Sequence, residues 1–189
     1  MITKPVAGEF ASFYASYIAA VSEAGPVAAL EAQRAAIAAL GALPEGKATL
    51  RYADGKWSVK EVLGHVSDAE RVFGYRLLRM ARADATPLAG FDENLWAANA
   101  PHHTRPISDV VNELLAVREA TLALIRSLNA AALERTVVAN DTPVSARALC
   151  WILAGHAQHH LHILSERYGV VTPLGPLTTK SWEPGVLGG

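Results

Sequence analysis

Hydrophobic residues recur every three or four positions along four long stretches of the chain, which is the period of an amphipathic α-helix. In the second stretch, Val62, Val66 and Phe73 fall on one stripe. A shorter apolar segment at residues 8–22 precedes the four. The long stretches cover residues 26–40, 59–82, 109–128 and 145–168. The pattern therefore predicts a chain that folds mainly as α-helices.

Residues with known capping preferences mark the ends of these helices. Ser58 and Glu61 stand three positions apart at the start of the second long helix, which is the spacing of a capping box. Ser108 is predicted to cap the third long helix. Gly169 is predicted to end the last one, because glycine readily adopts the left-handed backbone of a C-cap.

The segments between the helices differ in length and composition. Residues 84–107 contain three prolines and form the longest predicted loop, with one helical turn expected at 92–98. Residues 136–138 are expected to be extended. Residues 170–189 are rich in Pro and Gly and are predicted to wrap the surface or fray. The expected organisation is one domain, residues 1–169, followed by this tail.

Four long helices with varied connections predict an all-α fold. We expect an up-down four-helix bundle with a short extra N-terminal helix and a long inter-helix loop. Such bundles build metal and ligand sites in their core from side chains on facing helices. Polar residues on the inward faces are therefore the first candidates for a site.

Composition excludes several classes of function. The formal net charge is −1 with scattered Lys and Arg, so no basic stripe for nucleic acid is visible. No apolar run approaches the ~20 residues of a membrane helix. The one cysteine, Cys150, cannot form an internal disulfide, and no signal peptide is visible, so we expect a cytoplasmic protein. Arg71, Arg76, Arg79 and Arg82 are expected on the solvated side of their helix.

Four of the seven histidines fall within residues 156–162 of the last helix. His156 and His160 stand four residues apart, so on a helix they share one face and can converge on one metal ion. His159 lies three residues from His156 and shares that face nearly as well. Spacing alone leaves His159 and His160 as alternatives.

A third histidine lies on a different helix. His65 is surrounded by the apolar stripe residues Val62, Val66 and Ala69, so its side chain is expected to face the bundle core. A core histidine bonded to a carbonyl is one interpretation, and a metal ligand is the other. His102 and His103, which follow Pro101 in the long loop, are expected to be solvated, and the alternative is that they line the mouth of a pocket.

Two motifs together resemble a known family. Residues 57–66, with the sequence WSVKEVLGHV, and residues 155–161, with the sequence GHAQHHL, are similar to the DinB superfamily and to its YfiT-like metal-dependent hydrolases. The resemblance spans residues 30–168. It implies a bundle that holds one divalent metal ion through His65, His156 and His160.

The resemblance also implies partners and cofactors. The metal is expected to be nickel or zinc, with iron or manganese as alternatives, and the protein is expected to be a homodimer. Some relatives act on low-molecular-weight thiols such as bacillithiol or mycothiol. The expected partner is therefore a small molecule, with no nucleic acid and no membrane.

The residues around the predicted site suggest its chemistry. Three neutral imidazoles leave open positions on an ion, as in catalytic sites. Ala157 follows His156 where an HExxH site has its glutamate base, which weakens hydrolysis relative to thiol transfer. Asp68 and Glu70 are candidates to orient a ligand. The alternative is that they form surface pairs with Arg71 or Arg118.

The long loop offers candidates for the substrate pocket. Phe91, Asp92, Trp96 and Asn99 are placed to cover the metal from one side. In the alternative interpretation, Phe91 and Trp96 only cap the core. Two functional hypotheses follow. The first is a metal-dependent enzyme, a thiol-S-transferase or hydrolase acting on a small molecule. The second is a non-catalytic, stress-associated metal-binding protein with a sensor or structural site.

Overall fold

Eight α-helices and one β-hairpin make up residues 1–170, the part of the chain that the computed structural model describes. Two short 3₁₀ turns lie at Ser12–Tyr14 and Pro101–Thr104. The helices are α1 (Ala15–Ala20), α2 (Gly25–Leu40), α3 (Glu45–Ala48), α4 (Val59–Ala81), α5 (Glu93–Asn99), α6 (Ile107–Arg126), α7 (Ala130–Leu133) and α8 (Ala146–Tyr168). The hairpin pairs β1 (Thr136–Ala139) with β2 (Thr142–Ser145) in antiparallel register.

The four long helices α2, α4, α6 and α8 form the predicted bundle, which is confirmed. Helices α4 and α2 each pack against both α6 and α8. Helix α4 is antiparallel to α8, since Tyr168 at the end of α8 donates a hydrogen bond to the carbonyl of Trp57. Helix α4 is parallel to α6. Arg71 pairs with Glu113 in the first half of α6, and Gly74, further along α4, faces Thr121, further along α6.

Helix α2 completes this arrangement. Gly41 at its end faces Val111 near the start of α6, and Leu30 near its start faces Arg118 further along α6. Helices α2 and α6 are therefore antiparallel. The chain thus runs up, down, down and up through the bundle. Strict alternation is not followed between α4 and α6, because the long loop carries the chain back to the end at which α4 began.

The predicted caps are present on two long helices. The Ser58 hydroxyl accepts from the Glu61 amide at 3.3 Å, and the Ser58 amide donates to Glu61 Oε2 at 2.6 Å. Gly169 ends α8 with a φ of 62°. These local signals hold because each cap is satisfied by residues within its own first or last turn.

The predicted cap of α6 was wrong. The helix begins at Ile107 after Pro106, and Ser108 makes no cap hydrogen bond. The Ile107 amide instead donates to Glu45 Oε1 of α3 at 3.2 Å. A residue distant in sequence therefore satisfies this helix end, which local capping rules cannot detect.

The connections hold more structure than their composition indicates. The segment predicted as a first helix at 8–22 is helical only in the first 3₁₀ turn and α1. The helical turn expected at 92–98 is confirmed as α5, with Asp92 accepting from the Leu95 amide. Residues 136–138 are extended, as predicted, and lie in the hairpin. The tail predicted at 170–189 lies, apart from Val170, outside the described residues.

A buried polar network crosses the middle of the bundle and divides its core. One apolar cluster lies towards the start of α8 and another towards its end. Between them Arg118 of α6 donates to both carboxylate oxygens of Glu70 of α4 at 2.8 to 3.1 Å, and to Oε1 of Gln33 of α2 at 3.0 Å. Gln33 then donates to Gln158 Oε1 of α8 at 3.0 Å. One network therefore joins all four bundle helices.

Helix α1 packs onto α8 at a position that only glycine permits. A Cβ on Gly155 would lie 2.0 Å from the carbonyl oxygen of Tyr17. The two backbones therefore approach more closely than any side chain would allow. This contact places the Tyr17 ring beside His156.

No helix within residues 1–170 is long and apolar enough to cross a membrane.

Replacing Gly155 with alanine should destabilise the protein, because the added methyl group overlaps the Tyr17 backbone. We expect a loss of roughly 1–3 kcal/mol of unfolding free energy in urea denaturation, typical of overpacking. Gly74→Ala is the matched control, since its nearest neighbour, the Thr121 hydroxyl, is 4.0 Å away. That variant should gain up to about 1 kcal/mol from helix propensity. Equal effects of the two substitutions would contradict the close approach.

Removing the arginine of the buried network should be costly. Arg118→Met leaves the Glu70 carboxylate, 2% exposed, without its partner, so we expect a loss of about 3–5 kcal/mol of unfolding free energy. The control is Arg126→Met, which breaks the exposed pair with Glu31 and should cost at most about 1 kcal/mol. The double variant Glu70→Gln with Arg118→Met should recover part of the loss. A small effect of Arg118→Met would show that the interior tolerates the unpaired carboxylate.

Candidate metal centre

Three histidine side chains from two helices converge at one point in the bundle. His65 of α4 places its Nε2 3.1 Å from Nε2 of His156, and His160 places its Nε2 3.2 Å from the same atom. The ligand nitrogens of the three residues all lie within 4.8 Å of one another. The antiparallel packing of α4 against α8 brings together residues that are 91 positions apart in sequence.

Aromatic side chains pack against two of the three imidazoles. The Trp57 ring centroid lies 4.8 Å from that of His65. Tyr17 and Phe73 meet His156 edge-on, each with a centroid distance of 5.6 Å. These contacts restrict the rotamers of His65 and His156, and the buried Nδ1 of His160 has no hydrogen-bond partner within residues 1–170.

Burial keeps the three imidazoles neutral. Desolvation lowers the pKa of His65 to about 4, although the carboxylate of Asp68 opposes the shift. Burial and neighbouring histidines lower the pKa of His156 and His160 well below the usual value. Neutral imidazole nitrogens carry the lone pairs that a metal ion requires.

The other histidines of the last helix have different surroundings. His159 lies outside the group of three ligand atoms, although its ring contacts those of Tyr17 and His160. Burial lowers its pKa to about 4. His162 pairs with Glu166 at 3.0 Å at the surface. Spacing left His159 and His160 as alternatives, and the positions of their ring nitrogens distinguish them, because only His160 belongs to the group of three.

The expectation that His102 is solvated was wrong. Its ring is 4% exposed and packs against Gly64, where a Cβ would lie 2.2 Å from the ring. His102 Nε2 lies 3.4 Å from Asp68 Oδ2. The loop sequence gave no sign of this burial, because the partner glycine is on α4. His103 is exposed, as expected, and its Nδ1 lies 3.3 Å from the Ser58 hydroxyl.

The two carboxylates near His65 have separate roles. Asp68 contacts His102 and Arg71 and makes no hydrogen bond to His65 among the described residues, so it acts on His65 only through its charge. Glu70 is held by Arg118 in the buried network. The predicted pairing of Glu70 is therefore present, but it lies in the interior and not at the surface.

A cavity of about 360 Å³ opens beside the three histidines. Its size is that of a site for a small ligand. Eight of its twenty lining residues are Phe, Tyr or Trp, and the charged residues in its lining are Lys56, Arg76 and Glu93. The aromatic residues are Phe13, Tyr14, Tyr17, Tyr52, Trp57, Phe73, Phe91 and Tyr168.

The loop candidates for the pocket are divided by the structure. Phe91 lines the cavity and packs on Trp96 with a centroid distance of 4.7 Å, whereas Trp96 is 42% exposed and does not line the cavity. Asn99 is exposed and donates to the Leu95 carbonyl, and Asp92 caps α5. Of these loop residues, only Phe91 therefore faces the candidate site.

The assignment of Arg76 to the solvated side was also wrong. It is 4% exposed and lines the cavity, unlike Arg71, which is exposed. The signal was available in the sequence, because Arg76 follows His65 by eleven residues, close to three helical turns. Tyr14 and Tyr17, which line the same cavity, come from an N-terminal segment for which the sequence offered no such spacing.

Comparisons with known proteins agree with this geometry. The family profile of the DinB superfamily matches residues 28–164. A protein of Halalkalibacterium halodurans, provisionally named a metal-dependent hydrolase, is 26% identical over 121 residues, which are 63% of this chain and 70% of the relative. A protein of Oceanobacillus iheyensis with the same provisional name is 29% identical over 117 residues, or 60% of this chain and 67% of the relative.

A solved structure shares the fold. It is that of YfiT from Bacillus subtilis, described as a probable metal-dependent hydrolase with an unusual four-helix bundle topology. It superposes with a TM-score of 0.63 at 21% identity and covers 88% of this chain and 94% of its own. The profile match extends over most of the bundle and includes all three converging histidines. The chain therefore belongs to the DinB superfamily.

Proposed function

We propose that His65, His156 and His160 hold one divalent metal ion and that the protein is a metal-dependent enzyme that transfers a low-molecular-weight thiol. The observation that carries the proposal is the convergence of three neutral imidazole nitrogens beside a small aromatic cavity. The provisional names of the two relatives support metal dependence. The choice of thiol transfer comes from the chemistry of the lining.

The three residues fit a metal ion on donor type, and two of their three nitrogen separations fit it as they stand. Nitrogens that share one tetrahedral ion at about 2.0 Å stand roughly 3.3 Å apart, close to the 3.1 and 3.2 Å separations at His156. All three ligand nitrogens lie within 4.8 Å of one another. Imidazole donors suit nickel, zinc and iron, and we propose nickel or zinc, with iron or manganese as alternatives. Within residues 1–170 no fourth His, Cys, Asp or Glu joins the group.

When bound there, a divalent ion with an open position would lower the pKa of a thiol or water molecule brought to it. Hydrolysis also needs a general base, and Glu93 is the one carboxylate in the described lining. Burial, and to a smaller extent the charge of Glu93, raises the pKa of the Tyr14 and Tyr17 hydroxyls. Hydrolysis would depend on Glu93 as its base, whereas thiol transfer needs no carboxylate base, and this difference favours thiol transfer.

The chain's own residues would supply binding and exclusion of water. Tyr17 stays protonated because burial raises the pKa of its hydroxyl to about 12, so it can act as a neutral hydrogen-bond donor. The aromatic wall excludes water and holds the apolar part of a small electrophile. In the transfer, the thiol sulfur bonds to the electrophilic carbon, the leaving group departs and the thiol proton passes to solvent.

Metal content should depend on the three converging histidines. Each of the variants His65→Ala, His156→Ala and His160→Ala, purified without a histidine tag, should bind the metal ion more weakly. The loss of affinity should exceed the roughly 10–100-fold that follows when a residue hydrogen-bonded to a metal ligand is removed. His162→Ala is the control, since it changes a surface histidine on the same helix. Mass spectrometry of the bound metal measures the result. Full metal content in His160→Ala would contradict the assignment.

Turnover should require both metal and thiol. We expect metal-loaded protein to accelerate S-alkylation of bacillithiol, mycothiol or glutathione by monochlorobimane, with release of chloride, followed by fluorescence. Chelated protein and the His160→Ala variant should show only the uncatalysed rate. If fully loaded protein stays at that rate with all three thiols, the enzyme proposal fails and a non-catalytic sensor or structural site takes its place.

A further inference from the structure

Arg76 is a buried cation that the proposed chemistry does not use. It is 4% exposed, lines the cavity and donates a hydrogen bond to the carbonyl of Ala89 at 2.6 Å. Within residues 1–170 no carboxylate forms an ion pair with it, and the side chain that acts on its charge is the nearby Tyr14 hydroxyl. Burying an arginine without an acidic partner is costly, so such residues commonly mark binding sites.

The other buried arginine of the bundle shows the contrast. Arg118, which is fully buried, is bonded by three hydrogen bonds to Glu70 and by two more to α2. Its guanidinium is therefore paired within the bundle. Arg76 lines the cavity and has no carboxylate partner within residues 1–170, which is the arrangement expected where a ligand supplies the missing anion.

Helix geometry places Arg76 in line with the three histidines. Eleven residues separate it from His65, so both lie on nearly the same face of α4, about 16 Å apart along the axis. Helical side chains lean towards the N-terminus, so Arg76 leans towards His65. Phe73 lies between them and lines the same cavity. A single elongated molecule can therefore reach both.

The charges of the lining define the kind of anion. The charged side chains in the described lining are Lys56, Arg76 and Glu93, and the ion proposed at the three histidines would add its own two positive charges there. Arg76 lies about 16 Å further along α4. At that end its guanidinium supplies one positive charge, which balances a monoanion and leaves one charge of a phosphate dianion unbalanced. The planar guanidinium also matches the two oxygens of a carboxylate.

We propose that Arg76 and the Tyr14 hydroxyl form a carboxylate-binding subsite, so that the small molecule drawn to the three histidines carries a carboxylate at its far end. The inference rests on the proposed function for the thiol end of the ligand. The carboxylate end rests on Arg76 alone and can be tested separately.

The test is a calorimetric titration of the full chain with matched probes. The metal content of the protein is determined before each titration. The probes are 3-mercaptopropanoic, 6-mercaptohexanoic and 8-mercaptooctanoic acids and the corresponding mercapto alcohols. We expect the best acid to bind roughly tenfold to a hundredfold more tightly than its alcohol, the range for a charge-assisted hydrogen bond. Arg76→Gln should abolish this preference without changing the metal content.

Two further variants make the result specific. Arg79→Gln is the control, because Arg79 lies on the same helix but pairs with Asp84 outside the cavity lining. It should keep the full acid preference. Arg76→Lys keeps the charge and loses the planar fork, so it should keep only part of the preference. If Arg76→Gln does not fold, a full preference in Arg76→Lys would count against the subsite.

The remaining outcomes separate the subsite from the proposed function. Equal binding of acid and alcohol by the wild-type protein would overturn the subsite, as would tighter binding of 6-mercaptohexyl phosphate than of the acid. Hexanoic acid and hexanol probe the carboxylate end without a thiol. If the Arg76-dependent preference persists for hexanoic acid while the thiol adds nothing, the subsite stands and the thiol chemistry fails.

Discussion

Polar groups buried in the middle of the bundle must find their partners on other helices, and this requirement governs how the four helices meet. Arg118 is fully buried and is bonded to Glu70 of α4 and to Gln33 of α2, which continues to Gln158 of α8. A shift of any one helix along its axis would leave a charge or an amide unpaired in the interior. The network therefore specifies the register at the level of the histidines.

That register is what allows the candidate metal centre to exist. His65 and His156 belong to helices whose relative position the network determines, and their Nε2 atoms lie 3.1 Å apart. Burial lowers the pKa of these imidazoles, so they are neutral and their ring nitrogens have lone pairs that can bind a metal ion. The same burial beside a cavity gives Arg76 its unbalanced charge. The bundle interior thus combines polar groups that are paired with one another, such as Arg118 and Glu70, with polar groups that line the cavity, such as the three histidines and Arg76.

Much of the fold could be predicted because its signals are local. The Ser58 capping box and the Gly169 C-cap each depend on residues within one helical turn, and both are present. The prediction that Ser108 caps α6 was wrong, because the side chain that accepts from the first amide of α6 belongs to Glu45, which is distant in sequence. His102 and Arg76 were placed in solvent because their burial depends on Gly64 and on a cavity wall built by several segments. Periodicity reports which residues share a face, but not what covers that face.

The sequence by itself determined the helices, their apolar faces, the presence of a histidine pair on α8 and an inward histidine on α4. The motifs also determined the resemblance to the DinB superfamily. Only the tertiary structure decided that the nitrogen of His160, and not that of His159, joins the group, and that Glu70 is committed to Arg118. The physical reason is that helix spacing defines directions around one axis, whereas convergence depends on the packing of two helices whose histidines are 91 residues apart.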